Sequence, residues 1–178
     1  MAPRKPRPLD QEALWQYALR ALGGRAHSQA ELSEKLRRRA SRGEDVKEIL
    51  ARLKRAGYLD DKRYAQSYAA ARLENAGLGR MRVLRDLRSK RVAPAVAEQA
   101  VKAAYEEVDE VRLIESFLER KYRTVRLDAY LADPRHMAAA YRKLRLAGFG
   151  SGNAIRALKR YSEQAEDLAS LEDEERNE

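Results

Sequence analysis

Apolar residues recur at spacings of three and four along almost the whole chain, and no stretch alternates apolar and polar residues with β-branched enrichment. That period lays them along one face of a helix and argues against strands. The stripes run Leu14/Ala18/Ala21/Leu22, Leu32/Leu36, Val46/Ile49/Leu50/Leu53, Tyr64/Ala65/Tyr68/Ala69, Val83/Leu84/Leu87, Val96/Ala97/Ala100/Val101, Val111/Ile114/Phe117/Leu118, Ala140/Leu144 and Ile155/Leu158. They predict an all-α chain of nine helices.

Punctuation between the stripes supports this division. Ser28 and Glu31 form S-x-x-E, in which each side chain satisfies a free backbone N–H at a helix start. Asp10 and Asp60 stand at N-cap positions, and Asp133-Pro134 sets a capping acid before a proline suited to the first turn. Pro94 suits a first turn as well. Leu59 and Tyr64 occupy the two ends of a hydrophobic staple across the Asp60 cap. Gly23-Gly24, Gly57 and Gly148-Phe149-Gly150 provide stops, Gly57 by a left-handed turn. Gly43 is the expected stop after the Leu32/Leu36 helix.

One frame appears three times. An apolar residue, two polar residues and a variable one precede Leu-Arg at Leu36-Arg37, Leu87-Arg88 and Leu144-Arg145, with leucine spacings of 51 and 57. Each frame lies between a longer preceding stripe and a following one. The expected fold is therefore a tandem array of three three-helix repeats, elongated and open to curvature. The boundaries are a basic, Pro-rich tail over 1–8, repeats over 9–59, 60–106 and 107–161, and an acidic tail over 162–178. A unit of roughly 50 residues buries little surface alone, so stacking is needed for stability. Both tails are expected to be unstructured.

Composition narrows the function classes. The chain has no cysteine, so disulfides, thiolate metal sites and a Cys nucleophile are excluded. No apolar run is long enough to span a membrane and no signal-peptide pattern follows the basic start, so a cytoplasmic location is expected. Charge is uneven: residues 162–178 hold eight acids and one base, a net of −7, so residues 1–161 carry +16 of the overall +9. A body that basic attracts polyanions or acidic protein surfaces.

The densest basic segment is 80–91, where Arg80, Arg82, Arg85, Arg88, Lys90 and Arg91 face a single acid, Asp86. On a helical wheel of about 100° per residue, Arg82 and Arg85 lie opposite Val83/Leu84/Leu87, with Arg88 on the flank. Arg37, Arg38, Arg39 and Arg42 extend the equivalent helix of the first repeat, and Arg142, Lys143 and Arg145 occupy that of the third. With Arg72 these are the candidate contacts, because a guanidinium donates two parallel hydrogen bonds to phosphate or carboxylate. Equivalent helices on one side of the array would join them into a stripe.

Other chemistry is thin. Tyr58, Tyr64, Tyr68, Tyr141 and Trp15 read as core rather than base-stacking platforms. Asp60 and Asp61 lack further ligands at calcium-loop spacing, and His27 and His136 stand outside any metal or triad motif. No phosphate-binding glycine loop occurs. No catalytic residue, metal or cofactor is assigned.

The strings R-x-x-S-x-x-E-L-x-x-K-L from Arg25 to Leu36 and G-Y-L-D-D-x-R-Y-A from Gly57 to Ala65 closely resemble the RecX family, regulators of the bacterial RecA recombinase. Arg72 through Gly79-Arg80, Val83 and Leu87 to Lys90, and Leu144 to Gly148-Phe149, are similar to two later blocks of the family. The likeness covers roughly Ala18 to Tyr161. Two departures stand out: Arg91 replaces a usual glycine before Val92, so that helix end needs another cap, and Ala40-Ser41 replaces another. The resemblance implies a non-enzymatic array of three-helix units that binds in the groove of the RecA–DNA filament and inhibits its ATPase and strand exchange, and in some members binds DNA directly, single- or double-stranded; a monomer is expected. The reading from another class is a stand-alone nucleic-acid-binding helical module with one helix in a groove.

Overall fold

The computed structural model describes residues 7–161 and 165, so residues 1–6 and most of the acidic segment 162–178 lie outside it. Ten helices form: α1 Gln11–Gly24, α2 Gln29–Arg37, α3 Gly43–Arg55, α4 Asp61–Ala76, α5 Arg80–Ser89, α6 Pro94–Tyr105, α7 Glu110–Lys121, α8 Leu127–Leu131, α9 Pro134–Leu146 and α10 Ser151–Leu158. The only extended pairing among the described residues is an isolated bridge between Leu9 and Ala40. Three helices per repeat is the pattern, with α8 as the addition to the expected nine. It is five residues long, yet it carries the fully buried Leu131 into the core beside α9.

Compactness divides the chain into two units. The first comprises residues 1–67 and 87–100, the second 68–86 and 101–178, so the division falls within α4, α5 and α6. The first unit has its core in Leu14, Trp15, Leu32, Leu36, Ile49 and Leu53 from α1, α2 and α3. The second centres on Ile114, Leu118, Met137, Leu144, Phe149 and Leu158. Each fully buried leucine or isoleucine contributes about 2 kcal/mol by leaving water. The frame leucines Leu36, Leu87 and Leu144 are all fully buried, so the threefold frame marks the core position of α2, α5 and α9.

The caps follow the expected chemistry. Asp10 Oδ1 accepts from Ala13 N, Asp60 Oδ1 from Lys62 and Arg63 N, and Asp133 Oδ1 from Arg135 N. Gly57 adopts φ +72° and returns Tyr58 N–H to Leu53 O. That reversal turns Tyr58 outward to 58 % exposure, against the core position expected for it.

Two loop expectations change. Gly43 does not stop α2; it opens α3. The end of α2 is held instead by the residue before the α1 cap, where Leu9 N donates to Arg39 O and Ser41 N to Leu9 O. Arg91, standing where a glycine suits the geometry, itself takes the left-handed conformation at φ 56°. Arg91 N–H then reaches Arg88 O and Val92 N–H reaches Leu87 O, which closes α5.

In the second unit, Gly79 N donates to Ala147 O at 2.9 Å and Met81 N to Gly148 O at 3.1 Å. Free amides at the start of α5 are thereby satisfied by carbonyls at the end of α9. A Cβ on Gly79 would lie 2.3 Å from the Gly148 carbonyl, and one on Gly148 (φ +92°) 2.2 Å from Arg82 N. Only two glycines allow this approach.

Candidate partner-binding surface

Several polar residues of the first two sequence blocks make contacts that converge inside the first unit. Ser28 Oγ accepts from Glu31 N and donates to Lys90 O at 2.7 Å. Glu31 accepts from Ser28 N, from Arg25, from Tyr64 Oη at 3.3 Å and from Lys90 Nζ at 3.1 Å. Asp61 Oδ1 accepts from Gln29 N at 2.7 Å, and Arg63 donates to Gly57 O at 2.8 Å. Burial pushes the Glu31 carboxyl up, but the Lys90 ammonium, the Ser28 amide and Arg25 outweigh it and hold it at about 2. These side chains join α2, the start of α4 and the segment after α5. Their work is architectural, and Lys90 belongs with them.

The remaining cations of the first unit have separate environments. Arg37 is exposed and makes no ion pair among the described residues. It lines a polar cleft of about 390 Å³ together with Arg91, Ser33 and Glu34. Arg91 approaches Glu34 to only 3.9 Å, while Arg38 pairs with Glu34 directly. Arg39 is half-buried, its guanidinium 5.3 Å from the centre of the Tyr17 ring and its Nε without a hydrogen bond. Arg88 pairs with Glu98 at 2.9 Å. So Arg37 and Arg91 are brought together, whereas Arg38, Arg39 and Arg88 are committed locally.

In the second unit, Arg82 is half-buried rather than fully outward. It pairs with Asp86 at 3.0 Å and donates to Leu146 O at 3.4 Å. The end of α9 covers the side of α5 that a single-helix wheel leaves open. Arg80, Arg85 and Arg142 are exposed and make no ion pair among the described residues. Lys143 lies 5.0 Å from the centre of the Tyr122 ring and donates to its hydroxyl. Arg145 donates to Phe149 O at 2.5 Å, and Arg72 stacks on Tyr68 at 4.9 Å. The frame arginines Arg37, Arg88 and Arg145 thus differ in role although their leucines match.

Two apolar residues near these arginines escaped the sequence reading: Met81, 51 % exposed, and Leu146, 64 % exposed. Periodicity had placed neither in a stripe, and exposure was the signal it could not supply. Among the described residues no cluster of His, Asp and Glu could hold a metal ion, and no helix is long and apolar enough to cross a membrane.

The family profile described as RecX, first three-helix domain, matches residues 15–53, and that described as RecX, second three-helix domain, matches 60–101. The chain is 34 % identical over 163 residues to "Regulatory protein RecX" of Deinococcus radiodurans, covering 90 % of this chain and 75 % of that one. It is 33 % identical over 132 residues to the protein of that name from Trichlorobacter lovleyi, covering 74 % and 80 %. The crystal structure of RecX from Lactobacillus salivarius superimposes with a TM-score of 0.67 over 85 % of this chain and 96 % of that one; at 19 % identity this bears on the fold alone.

Proposed function

The chain belongs to the RecX family of regulatory proteins, and from that premise we propose that it binds the RecA–DNA nucleoprotein filament and inhibits its ATPase and strand exchange. It acts by binding rather than catalysis, as a cytoplasmic monomer built of repeats over 9–59, 60–106 and 107–161, and so modulates recombination and DNA repair.

The observation that carries this reading is the set of exposed arginines without an ion pair among the described residues: Arg37, Arg80, Arg85 and Arg142. Paired arginines such as Arg82 and Arg88 would have to give up an acid before binding another anion. The unpaired ones offer their planar donors to phosphate or carboxylate at no such cost. Arg37 shares its cleft with Arg91, which lies 3.9 Å from Glu34.

The experiment is ATP turnover by a RecA recombinase on single-stranded DNA, titrated with the protein. Inhibition well below the recombinase concentration, and persisting in excess competitor single-stranded DNA, is the expected result. Loss of inhibition in parallel with DNA competition would favour a nucleic-acid module instead.

A further inference from the structure

We infer that the junction of α5 and α9 in the second unit is a docking point for a protein segment that presents an apolar side chain flanked by carboxylates, with Met81 and Leu146 as the anchors. The inference rests on the functional reading above and assigns this junction to the protein component of the filament rather than to its phosphates.

Two helices carry the same pattern there. On α5, Met81 and Arg85 are one turn apart and both exposed; on α9, Arg142 and Leu146 are likewise one turn apart and both exposed. Neither arginine pairs with an acid among the described residues. The helix ends that bear the two apolar residues are pinned together, since Met81 N donates to Gly148 O and the Arg82 guanidinium reaches Leu146 O. The Gly79–Gly148 approach leaves no room for this junction to loosen by adding a side chain. Both anchors are therefore presented on a preorganised backbone, which reduces the ordering cost of binding.

Charge complementarity selects the occupant. A phosphate backbone needs only cations, and Arg80, Arg85 and Arg142 would serve it without an exposed methionine and leucine on the same two helices. Methionine and arginine are enriched in the centres of protein interfaces, where an apolar anchor is ringed by polar contacts. An apolar residue between carboxylates satisfies both halves of the surface at once.

The test compares Met81→Ser/Leu146→Ser with the wild type, using full-length chain and a RecA recombinase filament on single-stranded DNA. Both positions face water, so melting should stay at the wild-type temperature, and single variants provide a second measure if the pair does not fold. The expected result is at least a tenfold weaker inhibition of ATP turnover, with binding to bare single-stranded DNA and its salt dependence unchanged. A wild type that inhibits beside an equally inhibitory double variant overturns the docking assignment while leaving the functional reading intact. A wild type without effect on the filament overturns both. Truncation after Ala165, which keeps that buried residue of the second unit's core, should not change inhibition; a truncated chain that inhibits more strongly would assign the patch to the chain's own acidic residues 166–178, which also carry Leu168 and Leu171, and would overturn the assignment to a partner.

Discussion

Lys90 Nζ lies 3.1 Å from Glu31 Oε1 across 59 residues of sequence, and the Lys90 carbonyl accepts the Ser28 hydroxyl on the same side. Both side chains of this pair are about one-fifth exposed. A capping box that looks local in sequence is therefore also the socket for the end of α5. Removing either partner leaves a partly buried charge without its counterpart, which costs more than the pair itself contributes.

Lys90→Met is expected to lower stability by about 2 kcal/mol, measured by urea unfolding. Glu31→Gln should cost a similar amount, and the double variant less than the sum of the two. A double-mutant cycle with coupling near zero would show that the contact is not energetically shared.

The same carboxylate sets an acid limit. Glu31 is held at about 2 against an ordinary 4.5, so the unfolded chain takes up a proton first as pH falls. Its stabilisation is complete above pH 4.5 and is lost as pH falls from there toward 2. After allowance for screening by water it amounts to about 2 kcal/mol. Unfolding of the wild type and of Glu31→Gln should converge across this window.

His27 acts in a different window. Burial, then Arg25 and Lys35, push its imidazole below the ordinary value of 6.5, and Glu31 only partly opposes them. Neither ring nitrogen has a hydrogen bond that meets normal geometry. Below pH 6.5 the unfolded chain binds the proton more readily, so stability falls as pH drops toward the lower folded value. His27→Leu should flatten the melting temperature between pH 8 and pH 5.5 relative to the wild type.

At Arg91 a left-handed backbone at φ 56° is carried by a side-chain-bearing residue. Arg91→Gly should stabilise the fold by about 1 kcal/mol, because the Cβ penalty there exceeds the entropy that glycine adds to the unfolded chain. The exposed contact to Glu34 at 3.9 Å offsets little of this. Thermal melting decides the sign.

Gly148→Ala should destabilise by roughly 3 kcal/mol or more, since both its φ of +92° and the Arg82 backbone oppose a Cβ. Gly23→Ala is the control: nothing lies within 4 Å of its Cβ, and it should stabilise by about 0.5 kcal/mol. Equal effects at the two positions would contradict the close approach of α5 and α9.

Arg80→Glu/Arg85→Glu/Arg142→Glu should abolish inhibition of recombinase ATP turnover at native melting temperature, because all three are exposed and make no ion pair among the described residues. Arg82→Glu should instead lower the melting temperature, as it breaks the Asp86 pair and the Leu146 contact. Any direct DNA affinity should fall steeply with salt as counterions are released.

The helices, their caps and the threefold frame are determined by local sequence. Apolar period, a Ser28–Glu31 box, Asp before Pro134 and glycine at 57 and 148 act within a few residues, so no distant partner is needed to read them. What α2 needed at its end, a pairing with Leu9, was not readable, because no local residue performs it. Nor was α8, a helix too short for periodicity to register.

The surface was decided by tertiary structure. Eleven arginines among the candidates look alike in a string, and a wheel shows only which face of its own helix each one shares. Their distinction depends on what neighbouring elements bring near: the end of α9 to Arg82 beside its Asp86 pair, Glu98 to Arg88, Tyr17 to Arg39, and no ion-pairing acid among the described residues to Arg37, Arg85 or Arg142. Lys90 likewise reads as one more surface cation until Glu31 arrives beside it from 59 residues away. Helix period follows from backbone geometry that every residue carries along the chain, whereas the availability of a charge depends on contacts between segments that only folding brings together.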